Sequence, residues 1–351
     1  MSTVRLLKQA QALGARLRKK LLDKVALHRS EAVCSLVECV RVTLGRSHLL
    51  PPVLQVIGAK LTRDPLFGYK EQDVTRLLPV QKDTRMVNVV IGCGRSTVAL
   101  CAVMKQLEPK RTFNVQIQHP ACRLRGSTLW WYPGTTFLEE KLLKEHGSEW
   151  SGEFDEMLQG RRTRFVWLLG GPCRGFAFTE QDAELMVEEF IRALPRGDDV
   201  AVLVTFSRRT PQNVQKVIRR CLDARFPMPG QLLVWEGTER RNPYNALLST
   251  ASCVVTTPDS ISMTTEAIAS GKPVFTIGVE NCKGKFLRFH QSLFESKATA
   301  PFTADAVATV LHDIHEHDVS SGAAAFEKEI STIVDTIATN ILTVLKQIEA
   351  N

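Results

Sequence analysis

Two patterns of apolar and polar positions alternate along the chain from residue 88 onward. Short apolar runs predict strands, and segments with apolar residues every three or four positions predict helices. The predicted strands are 88–91, 112–117, 164–169, 200–205, 232–235, 253–256 and 273–277. The predicted helices are 96–107, 179–194, 211–223, 244–249 and 260–270. Strands that alternate with helices of this length indicate an α/β protein with parallel, doubly wound sheets.

The rhythm breaks once, over residues 121–162, which contain Trp130, Trp131 and a charged segment with glycines. We interpret this stretch as the region between two domains, because 351 residues suggest two domains at about 150 residues each. The sequence thus predicts two Rossmann-like domains, at 1–160 and 161–351, the second ending in helices from residue 304 onward. No stretch approaches the roughly 18 apolar residues of a membrane helix, so we expect no span.

Composition and charge exclude several classes of protein. The chain is 44% hydrophobic and 23% charged, which is typical of a globular protein rather than a disordered one. Residues 1–50 carry ten bases and three acids of the +8 chain, and the other 301 residues carry 35 bases and 34 acids. Because the excess positive charge lies in the first 50 residues, it does not indicate a basic face that binds nucleic acid. Nine cysteines without any C-x-x-C spacing predict a reducing compartment and no metal site.

The basic N-terminus has the pattern of an amphipathic helix. Leu6, Ala10, Leu13, Leu17 and Leu21 recur at helical spacing among six basic residues and no acid. Such a helix is typical of a mitochondrial targeting segment or of a helix that lies on a membrane surface. It is equally typical of a core helix of the first domain with a solvated outer face.

The ends of the predicted strands carry candidate ligand-binding residues, since ligands of parallel sheets bind at the carboxyl ends of strands. Gly170 and Gly171 follow one strand and would let backbone amides approach a phosphate, with Arg174 as counter-charge, although a plain tight turn explains them equally well. Asn242 and Tyr244 follow another strand and either frame a planar base or form a routine turn.

A third strand is followed by Ser207, Arg208, Arg209, Thr210 and Pro211. We expect Thr210 to cap a helix that begins at Pro211. Two arginines next to the positive end of a helix favour a bound anion, and a diphosphate would satisfy both guanidinium groups. The alternative is a pair of exposed arginines without a ligand.

The strand that ends at Thr256 leads into a helix whose first turn is rich in hydroxyl groups. Either Asp259 or Ser260 can cap this helix, and Ser262 and Glu266 share one of its faces. A carboxylate at Glu266 can accept hydrogen bonds from a ribose diol, although a solvated charge is the alternative. The predicted nucleotide-binding residues are Gly170, Gly171, Ser207, Arg208, Arg209, Thr210, Asn242, Tyr244, Asp259, Ser260, Ser262, Met263 and Glu266.

The last of these blocks resembles the nucleotide-sugar half of GT-B glycosyltransferases, and the chain more closely resembles the elongated-mitochondria family of mitochondrial fission proteins. The matching residues run in order through Cys93–Ser96, Gln116–Gln118, Gly170–Pro172, Ser207–Pro211, Asn242–Tyr244, Asp259–Ser260, Met263, Glu266–Ala267, Gly271–Val274, Phe286, His290 and Pro301–Phe302. The resemblance implies a two-lobed GT-B-like fold. In plant members it implies a peripheral protein on the cytosolic face of mitochondria that recruits a dynamin-related GTPase, without a demonstrated enzymatic activity.

The first domain departs from the family pattern. Residues 8–14 resemble the helix that usually follows an opening strand and loop, so that strand is expected to be absent and the N-terminus to be a core helix rather than a targeting signal. His119 stands where the family has aspartate, and Trp130 and Trp131 replace a Glu-His-Asp motif. His119 is thus the single candidate for the base that glycosyl transfer needs.

The sequence therefore predicts a peripheral adaptor on the outer surface of mitochondria, with a GT-B-like nucleotide site and no resident cofactor or metal. The alternative is a glycosyltransferase that uses a nucleoside-diphosphate sugar.

Overall fold

The computed structural model divides into two compact units, Met1–Phe137 with Ile330–Asn351, and Leu138–Glu329. The structure describes residues 13–24, 54, 57, 58, 61, 62, 67, 88–93, 101, 105, 112–117, 129–132, 140–236, 241–316 and 321–349. The predicted absence of an opening strand, the residues at 94–96 and His119 lie outside the described residues.

The described part of the first unit contains a helix, α1 (13–24), and a three-stranded parallel sheet in the order β1-β2-β3. The strands are β1 (Asn88–Cys93), β2 (Thr112–Ile117) and β3 (Leu129–Tyr132). The first two were predicted from their apolar runs. The third lies in the stretch expected to separate the domains, where it pairs with β2.

The apolar stripe of α1 is part of the first unit's core. Leu13, Leu17 and Leu21 are buried. On its outer side, Lys20 contacts the Asp335 carboxylate at 3.0 Å, and Lys24 contacts it at 3.6 Å. Residues 13–24 therefore form a core helix with a solvated face. For Leu13, Leu17 and Leu21 the membrane-surface interpretation is wrong, because protein already covers these side chains, whereas Leu6 and Ala10 lie outside the described residues.

The second unit is an alternation of strands and helices around one sheet. In chain order its elements are α2 (Glu140–Met157), β4 (Thr163–Leu169), α3 (Glu180–Ala193), β5 (Val200–Phe206), α4 (Gln212–Arg225), β6 (Leu232–Trp235), α5 (Tyr244–Thr250), β7 (Cys253–Thr256), α6 (Ile261–Ala269), β8 (Val274–Thr276), α7 (Lys285–Glu295), β9 (Ala300–Pro301) and α8 (Ala304–Glu316). The helix α9 (Ser321–Glu349) contributes its last part, from Ile330, to the first unit.

In the described chain this sheet has six parallel strands in the order β6-β5-β4-β7-β8-β9. Numbered from β4, the order is the 3-2-1-4-5-6 of the Rossmann fold. The predicted doubly wound α/β class is therefore confirmed. The strand order reverses between β4 and β7. The carboxyl ends of these two neighbouring strands form the crevice where such sheets bind ligands.

The core explains why β4 is central. Its last five residues are buried, as a strand covered by helices on both faces requires. Trp167 stacks on Phe190 of α3 with ring centroids 4.1 Å apart, and Phe190 stacks on Phe302 at 5.2 Å. The helix α2, which precedes residue 160, packs in this unit through Phe154 against Trp235. None of the described helices has the length and apolar character needed to cross a membrane.

Candidate functional site

The carboxyl ends of β4, β5 and β7 carry three loops that are hydrogen-bonded to one another. The loops cover residues 170–176, 207–211 and 257–260. The Ser207 N–H donates to the Leu169 carbonyl at 2.8 Å, and the Gly170 N–H donates to the Thr257 hydroxyl at 2.7 Å. The structure thus brings together the predicted residues that follow β4, β5 and β7.

Asp259 lies at the centre of this arrangement, and its side chain is fully buried. Its carboxylate accepts hydrogen bonds from the Gly171 N–H at 3.1 Å, from the Thr257 hydroxyl at 2.7 Å and from Arg209 Nη2 at 2.5 Å. Each of the three loops therefore contributes one contact to Asp259. This network occupies the carboxylate, and the helix α6 is capped by Ser260 alone, whose hydroxyl accepts from the Met263 N–H at 3.3 Å.

The two glycines after β4 are required by this packing. A Cβ atom on Gly170 would lie 1.9 Å from Asp259 Oδ1, and one on Gly171 would lie 2.2 Å from the Arg209 carbonyl oxygen. Both of their N–H groups donate inside the protein. The glycines therefore allow the loops to approach each other, and their amides already have protein partners.

Thr210 does not cap the next helix, so that prediction is wrong. The α4 helix begins at Gln212 after Pro211, without a side-chain cap. The buried Thr210 hydroxyl instead donates to the Gly170 carbonyl at 2.5 Å. A tertiary partner 40 residues away in sequence has replaced the local one.

The two arginines of this loop differ in their surroundings. Arg209 is bound to Asp259 and its side chain is 48% exposed. Arg208 is exposed, and no carboxylate in the described part of the chain pairs with it. Asp259 thus partly neutralises Arg209, whereas Arg208 keeps its charge. Whether the pair binds an anion stays a prediction.

A fourth loop, residues 278–285, follows β8, and its last residue is also the first residue of α7. The Lys283 N–H donates to the Gly175 carbonyl at 2.7 Å. Burial, followed by the charge of Asp259, raises the pKa of the Cys173 thiol, and the nearby cations Arg209 and Lys285 oppose that effect. Across the four loops there are five cationic side chains, Arg174, Arg208, Arg209, Lys283 and Lys285, and two carboxylates, Asp259 and Glu280.

The first turn of α6 faces the same edge of the sheet. Ser260 satisfies one of its N–H groups, and the first N–H groups of any helix have no partner within the helix. Ser262 and Glu266 are half-buried one turn apart on this helix, and Met263 is buried. A helix terminus of this kind attracts anions.

Asn242 and Tyr244 form the routine turn that was the alternative to a base-binding loop. The Asn242 side-chain oxygen accepts the Tyr244 N–H at 3.0 Å, directly before α5. The contact orders the chain at the carboxyl end of β6, and a role in holding a base stays a prediction.

His290 is a positioning residue whose function was not predicted. It is fully buried on α7, its Nε2–H donates to the Pro258 carbonyl at 3.0 Å, and its Nδ1 accepts from the Thr276 hydroxyl at 3.4 Å. Burial lowers the pKa of His290 to about 4. The neutral ring therefore holds the backbone directly before Asp259. The sequence marked His290 as a residue shared with the family, but its partners are distant in sequence.

Comparison with known proteins identifies the family. The family described as mitochondrial fission ELM1 matches residues 6–134 and 136–334. The Mitochondrial fission protein ELM1 of Arabidopsis thaliana is 26% identical over 253 residues, covering 61% of this chain and 57% of the relative. The protein RP120 of Rickettsia prowazekii (strain Madrid E) is 30% identical over 139 residues, covering 38% of this chain and 37% of the relative.

In both cases the chain covers less than two thirds of the relative's length. Among solved structures, the alpha,alpha-trehalose 6-phosphate synthase of Burkholderia multivorans has a TM-score of 0.49 at 9% identity, covering 84% of this chain and 77% of that one. The family match covers most of the chain, and the chain therefore belongs to the mitochondrial fission ELM1 family.

Proposed function

We propose that the chain is a peripheral adaptor in mitochondrial fission whose second unit binds a nucleoside diphosphate or its sugar conjugate. The observation that supports the binding site is that the loops at the carboxyl ends of a Rossmann-ordered sheet carry five cationic side chains beside the N-terminus of α6. Family membership supports the adaptor role. In it, the chain associates with the outer surface of mitochondria and recruits a dynamin-related GTPase.

The diphosphate would be held by side chains rather than by the glycine amides. Arg208 is free of carboxylate partners in the described chain and can bind phosphate oxygens in a bidentate manner. Arg209 donates one N–H to Asp259, and this contact leaves other N–H groups of its half-exposed guanidinium for a ligand. Asp259 thus fixes the direction of Arg209 while Arg208 supplies the uncompensated charge.

The nucleoside would extend along α6. Glu266 follows Ser262 by one helical turn, so both lie beyond the helix terminus that receives the phosphates. A half-buried carboxylate at this distance can accept hydrogen bonds from both hydroxyl groups of a ribose. This part of the proposal predicts that Glu266 contributes to nucleoside binding and not to binding of the phosphates alone.

Calorimetric titration with UDP, GDP, ADP, their sugar conjugates and pyrophosphate tests the site. For the preferred nucleotide we expect a Kd of about 0.1 mM or below, weakened about tenfold by Arg208→Ala. Glu266→Ala should weaken nucleotide binding but leave pyrophosphate binding unchanged. Arg220→Ala is the matched control, because Arg220 is an exposed arginine of α4 that pairs with Glu184. Absence of binding at about 1 mM of every nucleotide refutes the site.

Experiments in the organism that expresses this protein test the adaptor role. The tagged chain should co-localise with mitochondria and co-precipitate the dynamin-related GTPase, and its loss should elongate the mitochondria. Normal mitochondrial shape without the chain, together with no co-localisation, would contradict the adaptor role and leave the nucleotide site to be judged by calorimetry.

A further inference from the structure

A cleft of about 460 Å³ opens at the amino ends of the strands of the second sheet, whereas the candidate nucleotide site lies at their carboxyl ends. Val200, the first residue of β5, and Gln231, directly before β6, line it. Its walls are the last turns of α3 and α4 and the loops that follow them. Its volume lies within the range of binding sites for small ligands and side chains.

The cleft carries an uncompensated positive charge. Arg192, Arg196 and Arg225 line it, and Asp198 is the single acid among the lining residues. All three arginines are exposed, and none forms an ion pair with a carboxylate of the described chain.

Other exposed arginines of α4 are paired. Arg219 contacts Glu236 at 2.8 Å, and Arg220 contacts Glu184 at 2.8 Å. The absence of pairing is thus a property of the arginines in the cleft and not of this surface as a whole. A group with the opposite charge would find three guanidinium groups within one concave surface.

Between the arginines the cleft is apolar. Leu194, Pro195 and Phe226 line it and are only half-buried, and the Arg225 guanidinium lies 5.8 Å from the centroid of the Phe226 ring. Met228, two residues further along, is 59% exposed. The exposed parts of these side chains offer an apolar surface to a ligand.

The backbone adds hydrogen-bond acceptors. Two helices, α3 and α4, end at the cleft, and the last carbonyl groups of a helix have no donor within it. Arg192 and Arg225 lie in the last turns of these helices and offset their dipoles, but Arg196 lies beyond α3 and has no such role. A ligand with N–H donors, carboxylates and an apolar group matches all three features.

We infer that this cleft is a docking site for a short, acidic segment of a partner protein, whose carboxylates contact the three arginines and whose apolar side chain packs on Phe226. The peptide backbone supplies N–H donors for the helix carbonyls, which an inorganic anion lacks. This inference goes beyond the proposed nucleotide site and does not depend on it, since the two lie at opposite edges of the sheet.

The test uses fluorescence anisotropy with a labelled peptide in which a central phenylalanine is flanked on both sides by glutamates. At about 0.15 M salt, we expect saturable binding with a Kd of about 0.1 mM. The combined variant Arg192→Gln, Arg196→Gln and Arg225→Gln should weaken it at least about tenfold. The matched control, Arg219→Gln with Arg220→Gln, should bind as the parent does. A peptide with lysine in place of glutamate should not bind.

Circular dichroism and the calorimetric nucleotide titration show whether the variants remain folded and whether the other site is unchanged. Phe226→Ala should weaken binding of the peptide and should not change any binding of inorganic phosphate. Equal binding by the triple variant and its control, or no binding at about 1 mM peptide, overturns the inference. The inference is also overturned if inorganic phosphate binds through the three arginines and displaces peptides with and without the phenylalanine equally well. That result would define a simple anion site.

Discussion

Replacement of Asp259 by asparagine removes the charge at the centre of the loop network and keeps the shape of the side chain. The amide can place its oxygen where Oδ2 now accepts from the Gly171 N–H and Arg209 Nη2. Its NH2 group then faces the Thr257 hydroxyl, which must turn to accept although it already receives the Gly170 N–H. The network is thus retained in outline with weaker bonds.

The cost follows from the contacts. The hydrogen bond from Gly171 becomes neutral, and the one from Arg209 keeps only the charge of its donor; each change costs about 1 kcal/mol. The Arg209 side chain is 48% exposed, so its ion pair is screened by water and adds little beyond its hydrogen bond. We therefore expect Asp259→Asn to lower the free energy of unfolding by about 2 kcal/mol. With an m-value of about 2 kcal/mol per molar urea, the unfolding midpoint falls by about 1 M.

Urea unfolding followed by tryptophan fluorescence measures this shift. Trp130→Phe and Trp131→Phe provide a background in which the remaining tryptophans all lie in the second unit, so the signal reports that unit alone. The control is Asp155→Asn, because that carboxylate is 68% exposed and pairs with Arg164 at 2.7 Å. The control should change stability by less than about 0.5 kcal/mol. An Asp259→Asn shift no larger than that of the control would refute the assignment of Asp259 as the centre of the network.

Three further predictions concern the same loops. The pKa of His290 is about 4 in the folded chain and 6.5 for an unperturbed histidine, so the unfolded state binds a proton more readily. The free energy of unfolding should therefore fall by about 3 kcal/mol as the pH drops from about 6.5 to about 4. If the unfolding midpoint of the parent depends on pH no more than that of His290→Gln over this range, the prediction is wrong. Gly171→Ala should cost about 1–3 kcal/mol, because its Cβ would lie 2.2 Å from the Arg209 carbonyl oxygen, whereas Gly152→Ala meets nothing within 4 Å in α2 and should raise the thermal midpoint. Ser260→Ala should cost about 1 kcal/mol through loss of the α6 cap, measured by urea unfolding, and Ser260→Asn should restore it.

The strands of the second sheet were predictable because their apolar runs are long enough to be buried on both faces. The predicted strand 164–169 became β4 (Thr163–Leu169) and the predicted 253–256 became β7 (Cys253–Thr256). By contrast, β9 has two residues and exists because it pairs with β8. No local pattern indicates a strand that short. The strand β3 is a short aromatic run, Leu129–Tyr132, inside the stretch interpreted as the region between two domains, and its pairing with β2 identifies it as a strand of the first sheet.

The candidate site shows the same division between local and distant contacts. The Ser260 cap depends on a residue three positions away and was one of two alternatives drawn from the sequence. The role of Asp259 depends on Gly171 and Arg209, which are 88 and 50 residues away in sequence. Thr210 was expected to cap α4, but its buried hydroxyl donates to the Gly170 carbonyl in the neighbouring loop instead. The sequence therefore indicated which residues meet, and the tertiary structure determined what each of them contacts.

The most direct test of the proposed ligand site is hydrogen–deuterium exchange with and without saturating UDP, or whichever nucleotide binds best. We expect slower exchange over residues 171–176, 207–212 and 260–263, at the carboxyl ends of the strands of the second sheet. We expect unchanged exchange over residues 194–200, at the amino ends of the strands. Protection confined to other parts of the chain, or no protection at the carboxyl edge under saturating nucleotide, would contradict the claim that this edge binds the diphosphate.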